Sequence, residues 1–201
     1  MATGRSLSMS AAFTELHAHS AFSFLLGASQ PESMVLRAAE LGYDSIAITD
    51  PAGFYASARA HHAAKQCGIR TIVGTMLEAP GGARFPVLCA TRDGYRTLSR
   101  HLTGIHLSPT EEPQLRHHGG DLLALTGDRD GPVCRPLLSD DRQSALAAAE
   151  NLVALFGHRN VYVELTRHRL RDDGRLNRHL VDLAHHLKLP LLASNAPLYA
   201  T

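Results

Sequence analysis

The sequence predicts an α/β fold built on a seven-stranded sheet. Three observations carry that expectation. Short β-prone runs recur along the chain at Phe13–His17, Ser45–Thr49, Thr71–Thr75, Pro86–Ala90, Leu122–Thr126, Val161–Leu165 and Pro190–Ser194. Several are almost wholly apolar, as in strands of a parallel sheet covered on both faces. Amphipathic helical patterns lie between them, and such alternation is the signature of βα units. The length of 201 residues falls short of the roughly 250 usual for an eight-stranded barrel. An open doubly wound sheet and a smaller or incomplete barrel both fit.

The helical patterns are justified in order by their start and stop signals. Pro31 suits a first helical position and Glu32 its first turn. Met34, Val35, Ala38, Ala39 and Leu41 then share one face, and Gly42 ends the pattern. His61 and His62 sit in a helical stretch with Ala58, Ala63 and Ala64 and read as surface residues. Ala145, Leu146, Ala149, Leu152, Val153 and Phe156 form another amphipathic face closed by Gly157. Leu176, Leu180, Leu183, Ala184 and Leu187 form the last, with His185 and His186 near its C-terminus, where positive charge suits the dipole. Residues 1–12 are expected to be a flexible tail and 13–201 one domain. The stretch 110–120, which holds Pro113, His117 and His118, is expected to be a flexible loop.

Composition narrows the class. Twenty Lys+Arg against 19 Asp+Glu leave a net charge of +1, which gives no basic footprint for gripping nucleic acid directly. Cys67, Cys89 and Cys134 are odd in number and far apart, so neither a disulfide framework nor a Cys-x-x-Cys zinc knuckle is expected. No run approaches the roughly 18 apolar residues of a membrane helix, and a cytoplasmic location without membrane contact is expected. Histidine is the unusual residue. The chain has 13, more than its 6 Phe and 5 Tyr together, and histidine is the commonest metal ligand.

Two strand ends attract attention. The first run ends Glu15-Leu16-His17-Ala18-His19-Ser20, and residues i and i+2 of a strand face the same way, so His17 and His19 project together. That pair is a start for a metal site, though His-x-His also arises by chance as solvated or hydrogen-bonded residues. The second run ends Ile48-Thr49-Asp50-Pro51, and Asp50 reads equally as a metal-binding carboxylate at the sheet mouth and as a turn cap. His168, after the strand Val161–Leu165, is the other histidine near the mouth.

The segment from Glu15 to Ser29, with His17-Ala18-His19 at its head, resembles the first motif of PHP domains, the polymerase and histidinol phosphatase family. The run Gly42 to Asp50 resembles the second. The later segments Val87–Leu98, Leu125-Thr126-Gly127, Val161–Leu165 and Pro190–Asn195 agree in order. Taken together they are similar to the N-terminal PHP domain of bacterial DNA polymerase III alpha subunits, most closely the error-prone type. The resemblance implies a distorted seven-stranded, TIM-like barrel. It also implies a cluster of divalent metals at the strand ends that activates water for phosphoester hydrolysis, including 3′–5′ exonuclease action.

Carried over residue by residue, His17 and His19 match the first motif and Asp50 the second. Other positions depart. Pro51 stands where the family has histidine, Leu26 where a ligand precedes the glycine, Met76 where a carboxylate ends the third strand, and Phe85 where a histidine opens the fourth. Asp128 replaces a cysteine and still offers a carboxylate. Asn195-Ala196-Pro197-Leu198 has lost both ligands of the closing motif. Glu78 lies two residues beyond Met76, on the same strand face, as a substitute carboxylate. Leu26, Met76, Phe85 and Leu198 are expected to fill with apolar groups the space that ligands leave.

The expectation is therefore a PHP domain with a largely degenerate centre. It implies no cofactor, or one divalent ion (zinc or manganese) at a weak residual site of His17, His19, Asp50 and Asp128, with no assignable catalytic residue. The role expected is a structural or docking module in DNA replication and damage tolerance. Its partner would be a polymerase core or a proofreading or accessory subunit, with DNA engaged only indirectly. The chain has no room for polymerase palm carboxylates, so a fragment, a relic or one piece of a split polymerase is expected. The alternative is a metal-dependent phosphoesterase acting on DNA 3′ ends or on nucleotides and small phosphate esters.

Overall fold

The computed structural model describes residues 13–107 and 120–201. The expectations for 1–12, and for the loop with His117 and His118, fall outside the described residues except at Gly120. Seven strands run in the order β1 (Glu15–Ala18), β2 (Ser45–Ile48), β3 (Arg70–Ala79), β4 (Ala83–Cys89), β5 (Leu122–Leu125), β6 (Val161–Leu165) and β7 (Leu191–Ala193). They form one sheet in sequence order, curled into a half-barrel. The helices are α1 (Pro31–Glu40), α2 (Ser57–Cys67), α3 (Arg92–Leu107), α4 (Cys134–Leu138), α5 (Arg142–Phe156) and α6 (Asp173–Leu187).

Helix boundaries follow local chemistry. Pro31 occupies the start of α1, and Asp141 caps α5 by accepting from the Ser144 backbone N–H at 3.0 Å. The helix α6 ends on Lys188 in the left-handed region, with φ of 55°, without the glycine usual there. The helices α3 and α4 supplement those that periodicity predicts.

One strand departs from an all-parallel sheet. The strand β4 pairs antiparallel with both β3 and β5, whereas β1–β2, β2–β3, β5–β6 and β6–β7 are parallel. No crossover helix separates β3 from β4. The chain reverses through Pro80-Gly81-Gly82, with φ of 83° and 74° at the two glycines, a conformation that glycine adopts without a side-chain penalty. The run 71–75 thereby extends to Ala79, and the run 86–90 begins at Ala83.

Two apolar clusters flank the sheet. One packs α1 and α2 on β1 and β2 through Met34, Val35, Ile46 and Ile48 with six alanines. The other joins β4–β6 with α3–α6 through Leu98, Val163, Phe156 and Leu180 among others. The C-terminal ends of β1, β2, β5 and β6 gather at one mouth, where chemistry collects in such folds. Among the described residues, no helix is long and apolar enough to cross a membrane.

Candidate metal centre

The expected pairing of His17 and His19 is present: their rings lie 5.1 Å apart between centroids, and both residues are buried. Their Nδ1 atoms are each taken by protein. His17 Nδ1 donates to Glu164 Oε1 on β6 at 2.8 Å. His19 Nδ1 meets Ser23 Oγ at 3.1 Å. The single proton of Ser23 Oγ goes to Asp50 Oδ1 at 2.5 Å, so the hydroxyl accepts from His19 Nδ1–H and fixes that ring's tautomer.

Asp50 sits at the end of β2 and is fully buried. Its Oδ1 accepts from the Ser20 backbone N–H (2.8 Å) and from Ser23 Oγ, while Oδ2 accepts from Ser20 Oγ (2.6 Å). The carboxylate thus holds the β1–α1 loop onto β2. Asp128 follows β5, is half-buried, and accepts from the Asp130 backbone N–H at 3.0 Å. Its charge favours protonation of both histidines.

Burial sets the electrostatics. It drives the His19 pKa down to about 4, with the His17 charge adding to the effect. Burial also opposes charging of His17, but the Glu164 carboxylate beside it outweighs that cost and raises its pKa. Burial raises the Glu15 pKa, against hydrogen bonds from the backbone N–H groups of Asn195 and His17 and despite the charge on His17.

Two carboxylates absent from the expected site emerge as its supports. Glu164 is almost completely buried and also accepts from Ser194 Oγ through Oε1. Glu15 is equally buried and accepts from the Asn195 N–H (2.8 Å) and the His17 N–H (2.9 Å). The signal in the sequence was a charged residue inside an apolar strand: Glu164 in Val161-Tyr-Val-Glu-Leu165, Glu15 at the head of β1. Such a residue stays buried only when hydrogen-bonded or paired.

The positions that depart from the family motif have separate fates. Met76 is buried, and its backbone bridges Pro51 and accepts from Ala52 N–H. Phe85 is buried against Phe156 of α5, with ring centroids 6.1 Å apart, so it fills the sheet–helix layer and not the space around the histidines. Leu26 corrects an expectation: it is 44% exposed, because the loop it lies on turns outward. Leu198 is half-buried. Glu78 is exposed on the β3–β4 hairpin, opposite Arg84. His168 donates through Nε2 to the Asn195 carbonyl at 2.8 Å, beside the mouth. His61, His62, His185 and His186 are exposed on α2 and α6.

The residues present do not fit a multi-metal centre. Asp50 already accepts three hydrogen bonds, and proline and thioether side chains occupy two positions where hydrolytic metals need oxygen or nitrogen donors. Among the described residues, no group of three or more His, Cys, Asp or Glu is arranged to hold a metal ion. Two buried atoms at the mouth lack hydrogen-bond partners, His17 Nε2 and Glu164 Oε2.

A seven-stranded, curled half-barrel built mainly of βα units places the chain in the TIM-like α/β class. The chain belongs to the PHP domain family, whose pattern matches residues 15–168. It is 39% identical over 208 residues to an error-prone DNA polymerase of Cutibacterium acnes, covering 94% of this chain and 18% of that protein. It is 38% identical over 215 residues to an error-prone DNA polymerase of Mycolicibacterium paratuberculosis, covering 98% and 20%. The chain therefore spans about a fifth of the length of these relatives. Among solved structures it resembles a two-domain protein of Bacteroides vulgatus containing a predicted PHP-like metal-dependent phosphoesterase (TM-score 0.58, 13% identity, 93% of this chain and 52% of that one). It also resembles an amidohydrolase of Chromobacterium violaceum (TM-score 0.52, 14% identity, 92% and 87%). At such identities the likeness is one of fold.

Proposed function

We propose that this chain is a PHP domain of the error-prone polymerase type whose hydrolytic metal centre has been largely lost. In this reading residues 13–201 form one domain. It serves as a structural and docking module for a polymerase core or its accessory subunit in DNA replication and damage tolerance, in the cytoplasm. The observation that carries the reading is Asp50: the one carboxylate matching the family's second motif is occupied by Ser20 and Ser23 and is followed by Pro51. The relatives, which are polymerases about five times longer, support the docking role.

Metal analysis of protein purified without chelator tests it, alongside exonuclease and phosphatase assays with added zinc or manganese. Substoichiometric metal and no turnover are expected. Stoichiometric zinc or manganese that disappears in the double variant His17→Ala/His19→Ala, with phosphoester turnover, would establish the alternative. That alternative is a phosphoesterase using His17, His19, Asp50 and Asp128, and the unpartnered His17 Nε2 is the feature that favours it. For docking, the chain is mixed with the error-prone polymerase from its own genome, deleted for the matching segment. Co-elution on size exclusion is expected.

A further inference from the structure

The two ends of the sheet, β1 and β7, share no strand ladder among the described residues, yet the gap between them is closed. On one side of it lie Glu15 and His17 of β1. On the other lie Glu164 of β6, Ser194 after β7, and the segment 195–200. Glu164 Oε1 accepts hydrogen bonds from His17 Nδ1–H and from Ser194 Oγ–H. Glu15 Oε2 takes the Asn195 N–H. Further along, the Pro197 carbonyl accepts from His19 N–H (2.9 Å), the Leu198 carbonyl from Ala28 N–H (2.8 Å), and Ser29 Oγ from Ala200 N–H (2.9 Å).

We infer that His17, a surviving residue of the metal motif, now works as a strut. With Glu164, Ser194 and Glu15 it holds β1 against β6 and the 194–200 strap in place of the missing β7–β1 ladder. This deepens the lost-centre reading and rests on it. The strut uses the ring through Nδ1, whereas the buried Nε2 has no hydrogen-bond partner. The imidazole therefore matters for the nitrogen a metal would not be using, and buried polar groups of this kind specify a single arrangement because any partner left alone is costly.

That asymmetry gives the test. An asparagine amide reproduces the Nδ1 position of histidine, and a glutamine amide reproduces the Nε2 position. Thermal unfolding is measured in EDTA for the wild type, His17→Asn and His17→Gln. The strut predicts that His17→Asn unfolds close to wild type and His17→Gln about 5 °C or more lower. Lost packing alone predicts the reverse, because asparagine leaves the larger void. Equal losses, no loss, or a larger loss in His17→Asn overturn the inference.

Amide exchange reads the same strut locally. Ser194→Ala, a milder change that keeps the assay readable if His17→Gln fails to fold, is expected to speed exchange at Ala200 and Asn195 at least tenfold, leaving the β3–β4 hairpin unchanged. Unchanged exchange in the strap, or equal acceleration in the hairpin, overturns the inference. Repeating the unfolding with zinc or manganese separates the two readings. A metal-dependent rise in the wild-type midpoint overturns the lost-centre reading, while the arms in EDTA still decide the strut.

Discussion

Asp50 accepts from Ser20 N–H, Ser20 Oγ and Ser23 Oγ in a site closed to water, so Asp50→Ala leaves three buried donors without an acceptor. Each stranded donor costs about 1–3 kcal/mol, reduced where the loop relaxes. A loss of about 3 kcal/mol in urea unfolding is expected in metal-free buffer; a loss seen only when metal is present would assign Asp50 to coordination. His19 makes a pH prediction. Its folded pKa near 4 lies below the ordinary 6.5, so between those values the unfolded chain binds a proton that the folded chain does not. Stability contributed by this residue therefore rises with pH through the window and is lost as pH falls through it, by about 3 kcal/mol. Glu15 and His17, both raised, act oppositely, losing stability as pH rises through their folded values. The variant His19→Asn keeps a donor for Ser23 and removes the titration. Urea unfolding between pH 4 and 6.5 is expected to be flatter for it by about 2–3 kcal/mol; an unchanged slope would remove His19 as the source.

At the scale of the element, the β3–β4 hairpin depends on two glycines with positive φ. Gly81→Ala meets no neighbouring atom, so its cost is conformational: about 1–2 kcal/mol for an alanine held left-handed. Denaturant unfolding is expected to show that loss with an unchanged m-value. The contrast with Gly94 is instructive, because a Cβ there would lie 2.0 Å from the Asp121 carbonyl oxygen. Gly94→Ala is expected to shift α3 off β5 and to lower the thermal midpoint well below that of Gly81→Ala. Much of this layer was legible in the sequence. The start of α1 at Pro31 follows from local chemistry, and the centres of all seven strands follow from apolar runs. The direction of β4 was not legible from those runs, because apolar content does not record strand polarity; only the Gly81-Gly82 pair carried it. The site divides the same way. His17 and His19 face together because period two dictates it, and the His19 partner Ser23 lies four residues on, but the partner of His17 Nδ1, Glu164, lies 147 residues on. Spacing does not encode such contacts.

The whole molecule rests on two apolar clusters of unequal substance. Around β1, β2, α1 and α2, six of the ten buried members are alanine, with Met34, Val35, Ile46 and Ile48 supplying the larger groups. Around β4–β6 and α3–α6, four of twenty-one are alanine and the rest are mainly Leu, Val and Phe. Burial stabilises by about 25 cal/mol per Å² of apolar surface, and an alanine methyl offers little of it. The first cluster is therefore the weaker half, tied to the second by the β2–β3 ladder, by the contact of His17 with Glu164 of β6 and by that of Glu15 with the strap. Cooperative units differ in opening free energy according to such burial. Native-state amide exchange is expected to show Val35 and Ile46 opening together, below the free energy of global unfolding, while Val161 and Leu180 exchange only through global unfolding. Removing the tie with His17→Gln is expected to lower the first pair's opening free energy and to leave the gap between the second pair and global unfolding unchanged. Exchange of all four residues through one common opening would instead make the half-barrel a single cooperative unit, with the ties across the β1–β7 gap strong enough to level the two clusters.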